Sequence, residues 1–269
     1  MGRKIELVVF EGTYYPVAAA SCVFFLSLYK YVSPTLSSIT CEGYKSLKPE
    51  KQIDWNTRVN STVHSAIVSC MCMYSLMYDN GISEDPIWCN APMVRTSCAV
   101  VVGYMTADLI ILSIHYKEIG EIFYIFHHGA SMYAYYYVMT YGVLAYFANY
   151  RLIAEFSTPF VNQRWFLDTL GYQKTNPVFV ANGIAMTMAF FLSRIAIMPR
   201  YWLKVSSVYG TEPFTRLGHI QLVLVVTCFI LDVINIYWFY KMTLGVRRVL
   251  TMFNLKTERG KNTNGIKAD

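Results

Sequence analysis

The stretch 105–164, MTADLIILSIHYKEIGEIFYIFHHGASMYAYYYVMTYGVLAYFANYRLIAEFSTPFVNQR, constrains this chain more than any other. Its segments are apolar enough to enter a bilayer, yet they carry Asp108, His115, His127, His128, Arg151 and Glu155. An ionisable side chain at membrane depth costs several kcal/mol unless it faces a protein interior or a wet cavity. A chain with six such groups in so short a space must surround them with other helices.

The remaining sequence can supply that surround. It is 55% hydrophobic and only 15% charged, which excludes an ordinary soluble enzyme and fits a polytopic membrane protein. The net charge of +6 does not make a nucleic-acid footprint, because seven of the 23 Lys and Arg lie after residue 240. A basic flank beside a last span reads as a cytosolic anchor. The seven cysteines are odd in number and scattered, with neither a zinc spacing nor a disulfide framework, so they read as buried thiols.

Apolar runs fall at about 14–36, 59–77, 93–115, 122–140, 143–159, 177–198 and 220–242. At roughly 20 residues per crossing the tally gives seven spans, or six if the short fifth run re-enters instead. The predicted fold is therefore all-α, a membrane helix bundle enclosing a polar-lined lipid cavity. Residues 1–49 hold a retained first span and a loop, 50–245 the main transmembrane unit, and 246–269 a basic tail. Loops 37–58 and 160–176 and the tail are basic, whereas 79–92 carries Asp79, Glu84 and Asp85 and no base. The bias predicts a cytosolic C-terminus.

Periodicity sorts the polar residues into faces. Tyr104, Asp108 and His115 follow one helix face, while His128, Ser131 and Tyr135 share another, with His127 on a neighbouring one. Arg151 and Glu155, four apart, can neutralise each other. Asp232 and Asn235 lie together in the last span, Arg194 is a further buried candidate in the sixth, and His64 stands in the second. Such groups either hold a bundle together by interhelical hydrogen bonds or form a site in which histidine acts as acid, base or nucleophile with Asp108 as its orienter. The expected catalytic set is His127, His128 and Asp108. The expected pocket lining is His64, Tyr104, His115, Ser131, Tyr135, Arg151, Glu155, Asp232 and Asn235. Adjacent histidines grip one ion poorly and no HxxxH occurs, so no metal and no cofactor is expected.

Several motifs carry a family resemblance: DWNTRVNSTVHS, DLIILSIHY, FHHGASMYAYY, RLIAEFSTPFVNQRWFL, SVYGTEPFTRLG and LDVINIYWF. Together they span about residues 50–245, and the chain resembles the TLC-domain family, which includes the ceramide synthases. The resemblance implies a helix bundle around a lipid-accepting cavity, residence in the endoplasmic reticulum and a part in lipid homeostasis or sphingolipid metabolism. It matches His127 and His128 to the paired histidines of the ceramide-synthase motif, Asp108 to the acid of the preceding helix and His64 to the early histidine. It also implies a membrane lipid as partner, with acyl-CoA or a sphingoid lipid as the substrates of an enzymatic form.

One departure weighs on that implication. Ceramide synthases carry a further histidine and two aspartates on the helix after the paired histidines. Here the matching stretch is ANYRLIAEFSTPF, whose one acid is Glu155, and no histidine occurs between His128 and His219. The expected function is lipid binding in membrane lipid homeostasis; the alternatives are a histidine-dependent acyltransferase and a membrane adaptor.

Overall fold

Proline marks where the helices begin. Every proline except Pro86 stands in the first turn of a helix, where its missing N–H removes nothing and its fixed φ suits the turn. The computed structural model describes residues 10–120 and 122–265, of which 123, 250 and 252–265 are described as backbone alone.

The helices, in order, are α1 (Tyr15–Ser27), α2 (Ser33–Thr40), α3 (Pro49–Tyr78), α4 (Pro92–Ile114), α5 (Ile122–Tyr141), α6 (Ala145–Leu152), α7 (Thr158–Thr169), α8 (Pro177–Phe190), α9 (Met198–Val208) and α10 (His219–Gly265), with single-turn helices in several of the connections. No strand occurs among the described residues. The protein is an all-α polytopic membrane bundle. Four stretches are long and apolar enough to cross a bilayer by composition alone, namely Tyr15–Thr40, Pro92–Ile114, Pro177–Val208 and His219–Val249. Their outer faces stay apolar, as with Phe229, Val233 and Ile236 on α10. Helices alone satisfy every backbone group in hydrocarbon without an edge.

Pro34 does not end the first apolar run. A π-helical turn, Leu28–Val32, precedes it, and the Ser33 amide reaches back five residues to Leu28. The wider turn absorbs the proline, so α1 and α2 continue through it. A second π turn, Phe191–Ile195, joins α8 to α9, and a 3₁₀ turn, Ile153–Ser157, joins α6 to α7. Helix α3 starts ten residues before the expected Val59, because Pro49 initiates it and its first polar turns pack inside: Trp55 and Asn56 are buried.

The helix ends gather at two opposite poles. At one, Leu144 N–H donates to the Ile87 carbonyl at 2.7 Å, Trp88 Nε1 to Pro213 at 3.2 Å and Lys204 Nζ to Ser83 at 3.0 Å. At the other, the start of α3, the end of α4, the start of α5 and α7 enclose a cavity. Inside, α1 lies against α4 so closely that a Cβ on Gly103 would stand 2.3 Å from the Ala18 carbonyl oxygen. Small residues on both sides permit that approach, and Ser21 Oγ donates across it to Val100 O at 2.8 Å.

Candidate functional site

Asp108 stands on α4 where that helix faces the first turns of α5, and α5 presents His128 to it. His128 Nε2 lies 3.0 Å from Asp108 Oδ2. Its Nδ1 lies 2.8 Å from the carbonyl of Tyr124, one turn earlier on the same helix. A carbonyl only accepts, so Nδ1 holds a proton and donates it. One further proton then lies between Nε2 and Asp108, as an imidazolium–carboxylate or an imidazole–carboxylic acid pair. Either way both ring nitrogens are committed, and the ring orientation is fixed from two sides.

The pair lines a cavity of about 410 Å³, together with Asp54, Arg58, Tyr104 and Asn162. That volume lies within the roughly 300–1,000 Å³ of small-ligand sites. Its mouth is held by a polar network: Arg58 Nε donates to Asp54 at 3.0 Å and its Nη1 to Asn162 Oδ1 at 3.3 Å, while its guanidinium covers the Trp165 ring at 4.5 Å. Asn162 in turn donates to Thr62 Oγ1 at 3.1 Å. With Glu118 on the wall, carboxylates outnumber fixed cations in the lining.

Behind the pair, His64 is 2% exposed and stacks on Tyr104 at 3.9 Å between ring centroids and 11° between planes. Phe25 closes on both rings edge-on, at 5.9 and 5.1 Å. His64 Nε2 is buried with no hydrogen-bond partner among the described residues. Glu155 stands on the 3₁₀ turn that packs against α3. Its own carboxylate accepts from Thr158 Oγ1 at 3.0 Å.

A model of the TLC domain matches residues 54–244. The chain belongs to the TLC-domain family. Within it, TLC domain-containing protein 4-B of Danio rerio is 48% identical over 236 residues, covering 87% of this chain and 89% of that protein. Human TLC domain-containing protein 4 is 42% identical over 249 residues, covering 91% and 94%. A more distant relative, TLC domain-containing protein 4 A of Dictyostelium discoideum, is 26% identical over 90% of this chain and 93% of its own length. No solved structure matches the chain.

Within the TLC domain the expected site residues divide. Asp108, His128, Tyr104, His64 and Glu155 share one interior, and Ser131 and Tyr135 continue the His128 face, Ser131 being buried. His127 does not join Asp108. Its ring meets His128 edge-on at 5.7 Å and projects from the exposed side of α5. Adjacent residues on a helix are about 100° apart, so one carboxylate cannot serve both. His115 also leaves the Asp108 face, because α4 ends at Ile114; it sits beside the Tyr29 ring at 6.1 Å.

Arg151 and Glu155 do not pair. The helix changes to 3₁₀ at Ile153, which breaks the i, i+4 spacing, and Arg151 reaches Asp232 instead. Asn235 accepts from Arg194 Nη1 at 3.3 Å, and Arg194 Nε donates to Ser157 Oγ at 2.9 Å. Among the described residues no cluster of ligands suits a metal.

Two polar centres escaped sequence reasoning. Arg95, 3% exposed in the first turn of α4, donates to Met139 O at 3.0 and 2.9 Å and to Thr140 O at 3.2 Å, and pairs with Glu11. It satisfies the last carbonyls of α5 from another helix, which no local pattern announces. The Asp54–Arg58 pair had a visible signal in its i, i+4 spacing, but Asn162, which completes the mouth, had none.

Proposed function

We propose that this TLC-domain protein is a multi-pass protein of the endoplasmic reticulum that acts in membrane lipid homeostasis by holding a lipid, whose polar end enters the Asp108–His128 cavity while its acyl chain lies in the bundle. The observation that carries this reading is a polar-lined cavity of about 410 Å³ within a bundle whose outer faces are apolar. Its excess of carboxylates favours a head with hydroxyl or amine donors over a phosphate. The cavity opens at the pole of the basic 37–58 segment, opposite the acidic 79–92 loop, and the charge bias of membrane proteins supports a cytosolic side for it. The same orientation gives a cytosolic C-terminus, and the apolar runs support seven crossings, or six if the short fifth run re-enters.

A second reading, acyl transfer to a lipid amine or alcohol, draws on the 3.0 Å contact between Asp108 and His128, since an oriented histidine is what a general base requires. Against it, both ring nitrogens are already bonded, so a substrate must displace one partner before His128 can take a proton. The test is lipid profiling of membranes carrying wild type, His128→Ala, Asp108→Asn or no protein, at matched expression. Binding predicts that wild type shifts one lipid class and that purified wild type retains that lipid with its covalent structure unchanged. A new acylated product, absent with His128→Ala, selects the second reading. Equal shifts from wild type and both variants reject both.

A further inference from the structure

A second cavity, of about 210 Å³, lies where α7 and α8 meet α10 and shares no lining residue with the Asp108–His128 cavity. Phe179, Ile184, Met186 and Val246 make its walls apolar, while Arg164 and Lys241 stand in the same lining. Neither cation has a carboxylate within 4.0 Å among the described residues, not even Asp168, one turn on from Arg164. Each instead leans on an aromatic ring: Arg164 lies 5.6 Å from the Phe179 centroid and Lys241 lies 4.7 Å from that of Tyr237. Both are exposed.

The groove is also open by design of its glycines. A Cβ on Gly183 of α8 or Gly245 of α10 would meet nothing within 4 Å, so neither helix fills the space between them. An apolar channel two glycines wide, with two uncompensated cations in its lining, is complementary to an acyl chain and a negative headgroup. Bilayer lipid is the anion source that reaches such a place, and basic groups between membrane helices recognise it electrostatically.

We propose that the α7–α8–α10 groove binds an anionic phospholipid, with one acyl chain over Gly183 and Gly245 and the phosphate between Arg164 and Lys241. The site is independent of the Asp108–His128 cavity, and an Asp108→Asn variant should leave it intact.

The experiment is native mass spectrometry of the full-length protein in detergent, offered dioleoyl phosphatidylserine or dioleoyl phosphatidylcholine at equal concentration. Wild type should retain phosphatidylserine in preference, and Arg164→Gln/Lys241→Gln should lower that retention on the order of tenfold, to the phosphatidylcholine level. Gly183→Leu should reduce retention of both lipids by filling the groove, with the thermal midpoint of all variants unchanged. Equal retention of the two lipids by wild type, or undiminished phosphatidylserine on the double variant, overturns the proposal. A general loss of folding in the glutamine variant is controlled by Arg164→Lys, which keeps the charge and should keep the preference.

Discussion

Arg151 of α6 grips Asp232 of α10 with two hydrogen bonds, Nη1 to Oδ1 at 2.5 Å and Nη2 to Oδ2 at 3.1 Å, across 81 positions of sequence. Trp202 Nε1 adds a third donor to Asp232 at 2.7 Å, and the Tyr201 ring lies 3.9 Å under the guanidinium. The pair thus ties the fifth and seventh apolar runs of the sequence to α9, which follows the sixth. Its charges are compensated within the protein, away from the cavity that carries Asp108 and His128.

Removing one member leaves the other charge buried. Asp232→Ala should destabilise the protein by about 3–5 kcal/mol, read as a fall in thermal midpoint in detergent. Arg151→Met/Asp232→Leu should recover most of that loss. A double variant no better than the single one would show that geometry, and not charge, is what the pair contributes.

His64 offers a way to separate packing from chemistry. His64→Phe keeps the stack on Tyr104 and removes the unpartnered Nε2, so thermal stability should hold or rise. His64→Ala should lose roughly 2–4 kcal/mol, as other large-to-small core changes do. If lipid retention falls with the stable phenylalanine variant, the ring nitrogen serves the ligand; if it does not, His64 is a packing residue.

Gly103 is where α1 and α4 touch. A methyl group there meets backbone at 2.3 Å and Ser21 Cβ at 2.6 Å. Gly103→Ala should cost about 1–3 kcal/mol through overpacking. Because α1 also supplies Phe25 to the His64 stack, the variant should loosen the cavity wall, seen as faster hydrogen exchange of α1 amides.

At the opposite pole, the hydrogen bond from Arg95 holds the Glu11 carboxyl below its ordinary value of 4.5, with the Thr13 hydroxyl helping. A depressed folded value means that this contribution to stability is present above 4.5 and is lost as pH falls through the folded value. Wild type should therefore be more stable than Glu11→Gln at neutral pH, with the difference closing in acid. A gap between their thermal midpoints that is constant with pH would exclude the link. Arg95→Met should be less stable than Glu11→Gln, since it also strands the Met139 carbonyl, whereas Thr140 O keeps the Glu11 amide.

The sequence by itself determined the class of fold, because apolar runs of bilayer length with charges inside them admit only a helix bundle with a polar interior. It also placed Asp108, His128, Tyr104 and His64 in that interior, since helix periodicity puts residues on faces. Tertiary structure alone decided who meets whom. Periodicity is blind to neighbours, so it paired Arg151 with Glu155, whereas the helix changes to 3₁₀ at Ile153 and Arg151 reaches Asp232. It set His115 beside Asp108, whereas α4 stops at Ile114. Nor does periodicity announce the π turn that carries the first helix through Pro34. Each difference arises where backbone geometry departs from 3.6 residues per turn, and those departures depend on packing between segments far apart in the chain.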